Sequence, residues 1–80
     1  MSEDARLKWL CRRGMKELDV LLERYLERDY ASAPESEQAA FRELLECQDP
    51  VLWDYVMEHD RPQDEDMRNV IGKLVSALRD

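Results

Sequence analysis

Residues 15–28, Met-Lys-Glu-Leu-Asp-Val-Leu-Leu-Glu-Arg-Tyr-Leu-Glu-Arg, carry the clearest helical signal in the chain. Met15, Leu18, Leu21, Leu22, Tyr25 and Leu26 recur at spacings of three and four, which lays them along one broad side of a helix. Glu23, Arg24, Glu27 and Arg28 take the solvent side. So wide an apolar side has to be covered by other elements, and the flanking sequence supplies them as helices. Upstream, Leu7, Leu10 and Cys11 share one side of a shorter helix that begins near Asp4 and is ended or bent by Gly14. Downstream, Ser32-Ala33-Pro34-Glu35 offers a capping serine, an early proline and a glutamate three residues on. A third helix burying Phe41, Leu44 and Leu45 should follow and stop near Cys47. Asp49-Pro50 repeats the device ahead of a fourth helix with Leu52, Trp53, Val56 and Met57, which His59-Asp60-Arg61-Pro62 breaks. Asp64, Glu65 and Asp66 favour the positive end of a fifth helix, whose Met67, Val70, Ile71, Leu74 and Leu78 keep the period despite Gly72. No alternating strand pattern or internal repeat interrupts this series. The expected fold is all-α: a compact bundle of about five short helices forming one domain over residues 1–80.

Composition narrows the function. Eighty residues with a net charge of −7 make one small domain, and the charge argues against general nucleic-acid binding, which relies on Lys and Arg displacing counterions from phosphates. The charge is unevenly placed. Residues 1–16 hold five basic side chains (Arg6, Lys8, Arg12, Arg13, Lys16) against Glu3 and Asp4, a local +3, and the remainder carries −10. Cys11 and Cys47 have no apolar signal segment before them, so free thiols in a reducing compartment are expected. No apolar run approaches the roughly 20 residues that a spanning helix needs. The chain reads as a soluble, cytoplasmic protein that does not insert into membranes.

Sites for intrinsic chemistry are scarce. Cys11, Cys47 and His59 lie too far apart in sequence to suggest a zinc site, so no metal is expected. His59 sits in a polar, helix-ending segment that suits a hydrogen-bonded capping role, and Cys11 falls among leucines as a small buried group. Gly14 and Gly72 are the only glycines and neither follows a strand, which excludes a phosphate-cradling loop. The pairs Glu43 with Glu46 and Asp64 with Asp66 fall on solvated faces or in a first helical turn, as solubility and dipole features. No catalytic residue is assigned.

One constellation asks for more. Trp9 points away from Leu7, Leu10 and Cys11 and lies alongside Arg6 and Arg13, where it either packs on another helix or presents a docking surface. Arg13 and Glu17 are four apart, but the basic-then-acidic order is the weaker one for an intrahelical pair, and Gly14 lies between them. A turn with a glycine, flanked by exposed donors and an acceptor, lets another backbone approach closely.

The run Leu7-Lys8-Trp9-Leu10-Cys11-Arg12-Arg13-Gly14-Met15-Lys16-Glu17-Leu18-Asp19 resembles the N-terminal signature of the SdhE family, flavinylation factors for succinate dehydrogenase. Its Arg-Gly-x-x-Glu core falls on Arg13, Gly14 and Glu17. The similarity continues through Asp29-Tyr30, Phe41, Leu44-Leu45-Glu46, Asp49-Pro50, Leu52, Met57, His59 and Pro62, and weakens in the Arg61–Asp64 loop and the last helix. The resemblance implies a five-helix assembly factor, not an enzyme. Such a factor binds the flavoprotein subunit of succinate dehydrogenase, and in some bacteria that of fumarate reductase, and promotes covalent attachment of FAD to a histidine of that subunit. The acceptor histidine belongs to the partner, and this chain is expected to hold no cofactor tightly itself. By carry-over, Gly14 gives close approach, Arg13 donates to partner carbonyls or carboxylates, and Glu17 accepts from partner donors. A chain of 9.5 kDa exposes roughly 5,000 Å². A standard complex covers roughly 800 Å² of each partner, so Arg6, Lys8, Trp9, Arg12 and Lys16 join the expected contact surface. The alternative is an antitoxin-like or regulatory module that uses the same patch on another protein.

Overall fold

Apolar periodicity becomes a series of helices in the computed structural model, which describes residues 3–79; the ends of the expected 1–80 domain, residues 1, 2 and 80, lie outside the described residues. The helices are α1 (Glu3–Leu10), α2 (Lys16–Arg28), α3 (Glu35–Leu44), α4 (Asp49–Val56) and α5 (Glu65–Arg79). A single 3-10 turn, Tyr30–Ser32, joins α2 to α3. The fold is all-α, as expected. α5 packs against α2, α3 and α4, while α1 lies on α2. The radius of gyration, 11.4 Å, is close to the roughly 12 Å expected for 80 residues in one packed unit.

The core draws on every helix. Leu7 of α1 and Cys11 just beyond it, Leu18 and Leu22 of α2, Phe41 and Leu44 of α3, Leu52 of α4, and Val70 and Leu74 of α5 are all buried. Phe41 sits at the centre of an aromatic cluster, 4.6 Å from the Tyr25 ring and 5.5 Å from the Tyr30 ring between centroids. Both phenols need hydrogen-bond partners in such a setting. Tyr30 donates to Glu3 Oε1 at 2.8 Å and accepts from Arg42 at 2.8 Å, which ties the start of α1 to α3.

Tyr25 donates to Glu37 Oε2 at 2.6 Å, and Lys73 Nζ donates to the same oxygen at 2.8 Å. One buried carboxylate thereby links α2, α3 and α5. Burial alone would raise the Glu37 pKa, but the hydrogen bonds from Lys73 and Tyr25 outweigh it and hold the group below its ordinary 4.5. Burial, reinforced by the Glu37 hydrogen bond, pushes the Tyr25 phenol well above its usual range, so it remains a donor. The sign of the pH effect follows. A carboxylate with a depressed folded-state pKa contributes stability above its unfolded pKa and loses it as pH falls through the folded value. Glu37→Ala should therefore lower unfolding free energy by about 2 kcal/mol at pH 7, because it strands the Tyr25 hydroxyl. The gap from wild type should narrow as pH drops from 5 through the acid range. Urea titrations of both proteins at several pH values check this.

Several helix ends differ from the sequence expectation. Ser32 does not cap α3; its Oγ donates to Asp29 O at 3.3 Å within the 3-10 turn, and Pro34 takes the cap position without a side-chain bond. The cause is local: the residue before a proline is pushed into extended backbone, and Ala33 adopts φ −75°, ψ 150°. Gln48 is likewise the residue before α4, with Asp49 and Pro50 inside its first turn. Asp64 behaves as expected, its Oδ1 accepting the Asp66 N–H at 2.7 Å. Leu78 keeps the helical period but is 46% exposed, so it is not a core residue. At the end of α4, Glu58 takes a left-handed φ of 63°, and the His59 N–H reaches Asp54 O at 2.8 Å while the Glu58 N–H reaches Tyr55 O at 3.1 Å. These are the paired bonds of a Schellman closure, with glutamate where glycine is usual. The His59 ring stays exposed, with Nδ1 3.7 Å from Asp54 Oδ1, beyond hydrogen-bond distance. His59 thus closes the helix end through its backbone N–H, and not through a hydrogen bond of its ring as expected.

Candidate partner-binding site

The turn between α1 and α2 is built around Gly14 and held from beneath by Arg13. Leaving α1, the chain makes a last backbone bond from the Arg12 N–H to Trp9 O at 3.1 Å. Gly14 then adopts φ +85°, a value that side chains other than glycine's resist, and Met15 starts α2 in extended backbone. Asp19, one turn into α2, reaches back so that its Oδ1 accepts the Arg13 N–H at 2.6 Å.

The Arg13 side chain points inward. Its guanidinium donates to Cys47 O at 2.8 Å and to Leu45 O, and it lies 3.6 Å from Asp49 Oδ1. Those carbonyls follow the last turn of α3, where backbone acceptors lack helical partners and the dipole favours a cation. The side chain is only 13% exposed, and its Nε, also buried, has no partner among the described residues. Arg13 therefore spends its donors within the chain, which redirects the expectation that it would present them to a partner. Arg13 and Glu17 do not pair.

The other expected residues do face outward. Arg6, Lys8, Arg12, Gly14, Lys16 and Glu17 are exposed, and Trp9 is 67% exposed, which settles its orientation away from the bundle. The charged side chains of Arg6, Lys8, Arg12, Lys16 and Glu17 have no hydrogen-bond or ion-pair partner among the described residues, unlike Arg13, Arg24, Arg42, Arg68 and Lys73. A Cβ built on Gly14 would meet nothing within 4 Å. The glycine is thus favoured by its backbone angle and faces open space. Around the turn lie an open backbone, the unpartnered Glu17 carboxylate and the cations Arg12 and Lys16, with the exposed indole of Trp9 on α1; Lys8 and Arg6 flank α1 on different sides, Lys8 beside Glu23 and Glu27 of α2 and Arg6 beside Glu35 and Arg42 of α3. Such a surface can dock a protein through hydrogen bonds and an aromatic anchor.

Burial raises the Cys11 thiol pKa to about 12, with Glu23 adding to the effect and Arg13 opposing it, so this sulfur stays protonated. Burial also raises the half-buried Cys47 thiol. Both thiols are free. Among the described residues no group of three or more His, Cys, Asp or Glu side chains is placed to hold a metal ion, and no helix is long and apolar enough to cross a membrane.

Asp19, Asp49 and the Leu45 and Cys47 carbonyls were not visible as parts of this site in the sequence. A short carboxylate one turn inside a helix after a glycine is a signal for Asp19. The Arg13 contacts to Leu45 and Cys47 span 32 and 34 residues, and no local pattern announces them.

Known proteins match this chain along most of its length. Residues 5–77 match the Sdh5 family, described as the flavinator of succinate dehydrogenase. A protein of Yersinia pseudotuberculosis named FAD assembly factor SdhE is 42% identical over 77 residues, covering 96% of this chain and 86% of that protein. Proteins of the same name from Idiomarina loihiensis and Coxiella burnetii are 38% and 39% identical, covering 99% and 86% of this chain and 88% and 84% of their own lengths.

Proposed function

This chain belongs to the Sdh5 family of succinate dehydrogenase flavinators, and on that premise we propose that it acts in FAD assembly by docking on the flavoprotein subunit of succinate dehydrogenase. FAD is the cargo of the process and becomes attached to a histidine of the partner. The part played by this chain is conformational: its docking surface holds the flavoprotein in a form in which attachment proceeds. Where a cell also makes fumarate reductase, the flavoprotein subunit of that enzyme is a second client. Both roles place the factor in the cytoplasm.

The observation that carries this reading is the turn at Gly14. Its positive φ, its empty surroundings and the unpartnered Glu17 one helical turn onward support a site shaped for another protein's backbone. Gly14 admits that backbone, and Glu17 accepts its N–H or side-chain donors. Arg6, Lys8, Arg12 and Lys16 set a cationic rim that favours a carboxylate-bearing face, and Trp9 supplies an aromatic anchor. Arg13 holds the turn in register from inside. The accessible surface, 5342 Å², gives scale, because a standard contact of about 800 Å² would engage roughly a seventh of it.

The test is in-gel fluorescence of denatured flavoprotein subunit after incubation with FAD and either this protein or Glu17→Ala. Covalent flavin should rise several-fold with wild type and fall with the variant. A signal indifferent to this protein, under conditions where the flavoprotein can be flavinylated, would overturn the reading.

A further inference from the structure

Four large apolar side chains stay exposed among the described residues: Trp9, Val20, Val51 and Leu78. Trp9 belongs to the site above. Val20 and Leu78, 44% and 46% exposed, both line an open groove of about 510 Å³ between α2 and the last turns of α5. Ala77 and Arg24 line it too, and so do Lys16 and Glu17. The groove and the docking surface therefore share two residues. Along α2, Glu17, Val20 and Arg24 are spaced by three and four, so one stripe of the helix runs from the Gly14 turn straight down the groove. Arg24 fixes the far wall, donating to Ala77 O at 3.2 Å and so tying the end of α5 to α2.

We propose that this groove is the second half of the docking surface, and that it seats an apolar side chain of the flavoprotein from the segment that contacts Glu17. The inference rests on the partner reading above. Two arguments choose this occupant. Interfaces keep charge at the rim and an apolar, desolvated centre, yet the Gly14 surface offers the cations Arg12 and Lys16, one carboxylate and a single aromatic ring. Val20 and Leu78 can supply an apolar centre, and they line one groove with Lys16 and Glu17 rather than stand apart from them. The groove's own rim, with Lys16, Glu17 and Arg24, carries both signs of charge and can satisfy the polar backbone flanking an inserted apolar group.

Binding of the purified flavoprotein subunit to wild type, Val20→Gln, Leu78→Gln, Val20→Ile and Gly14→Val should be measured by biolayer interferometry. Circular dichroism confirms the fold of each. Glutamine keeps helix propensity and adds no charge, so each Gln variant should raise Kd about tenfold while Val20→Ile binds as wild type does. Gln variants that bind like wild type, while Gly14→Val does not bind, would overturn the groove and leave the partner reading intact. Wild type that fails to bind the flavoprotein would overturn both. If the Gln substitutions change only self-association in sedimentation, a second copy fills the groove and the proposal falls.

Discussion

A Gly14→Val protein should stay folded and fail to support flavin attachment. The cost to the fold is bounded by the backbone. At φ +85° an L side chain is strained by roughly 1–3 kcal/mol, and a β-branched one sits toward the upper end. Nothing else in the chain resists, because a Cβ at this position has open space around it. A domain of this size commonly holds about 4–12 kcal/mol of stability, so the helices should survive, with a lowered melting temperature. The functional loss should be far larger, since on the proposed docking mode any side chain at Gly14 projects into the space taken by the partner's backbone. Gly14→Asn separates the two effects: asparagine tolerates left-handed backbone, so it should melt near wild type yet remain inactive. In-gel flavin fluorescence beside thermal melts reads both properties. Normal flavin attachment by either variant would show that close approach at Gly14 is not needed.

Periodicity marked the five helices because each one buries a stripe, and the stripe is written locally. Burial of Leu18, Leu22, Phe41, Leu52 and Leu74 needs no knowledge of topology beyond the statement that helices pack. Cap positions were less legible: Pro34 holds Ala33 extended and moves the α3 cap past Ser32, whereas α4 is capped by Gln48, one residue ahead of the expected Asp49. The 3-10 turn at Tyr30–Ser32 was missed because three residues leave no period. Leu78 shows the complementary failure: the helical period marks a side of α5, not whether another helix reaches that far. Val20 lies off the apolar stripe of α2, so the helical period assigns it no role. In the candidate site, the direction of Trp9 was readable as one of two options from its angle on α1, whereas the direction of Arg13 was not readable at all. Its hydrogen bonds go to carbonyls, which every residue owns, and the Asp49 carboxylate beside them lies 36 positions away, so no local pattern announces either.

That blind spot leads to the second large effect. Arg13→Ala should reduce both stability and flavinylation, and the two losses should share one cause. Hydrogen bonds from a charged donor contribute about 1.5–3 kcal/mol, and here two of them join the Gly14 turn to the carbonyls past α3. Unfolding free energy should fall by about 2–3 kcal/mol. Arg13→Lys should recover only part, because an ammonium lacks the planar fork that reaches Leu45 O and Cys47 O together. Asp19→Ala is the decisive companion, since it loosens the same turn by releasing the Arg13 N–H and leaves the guanidinium in place. If Arg13 is a positioning residue, Asp19→Ala should lower flavinylation in step with its own loss of stability, and amide exchange near Gly14 should accelerate in both variants. The opposite pattern would make Arg13 a direct contact: flavinylation abolished by Arg13→Ala with melting unchanged, and Asp19→Ala silent. The expected result divides the Arg-Gly-x-x-Glu motif by physical task, with Arg13 facing inward to fix the turn and Gly14 and Glu17 facing outward to meet the partner.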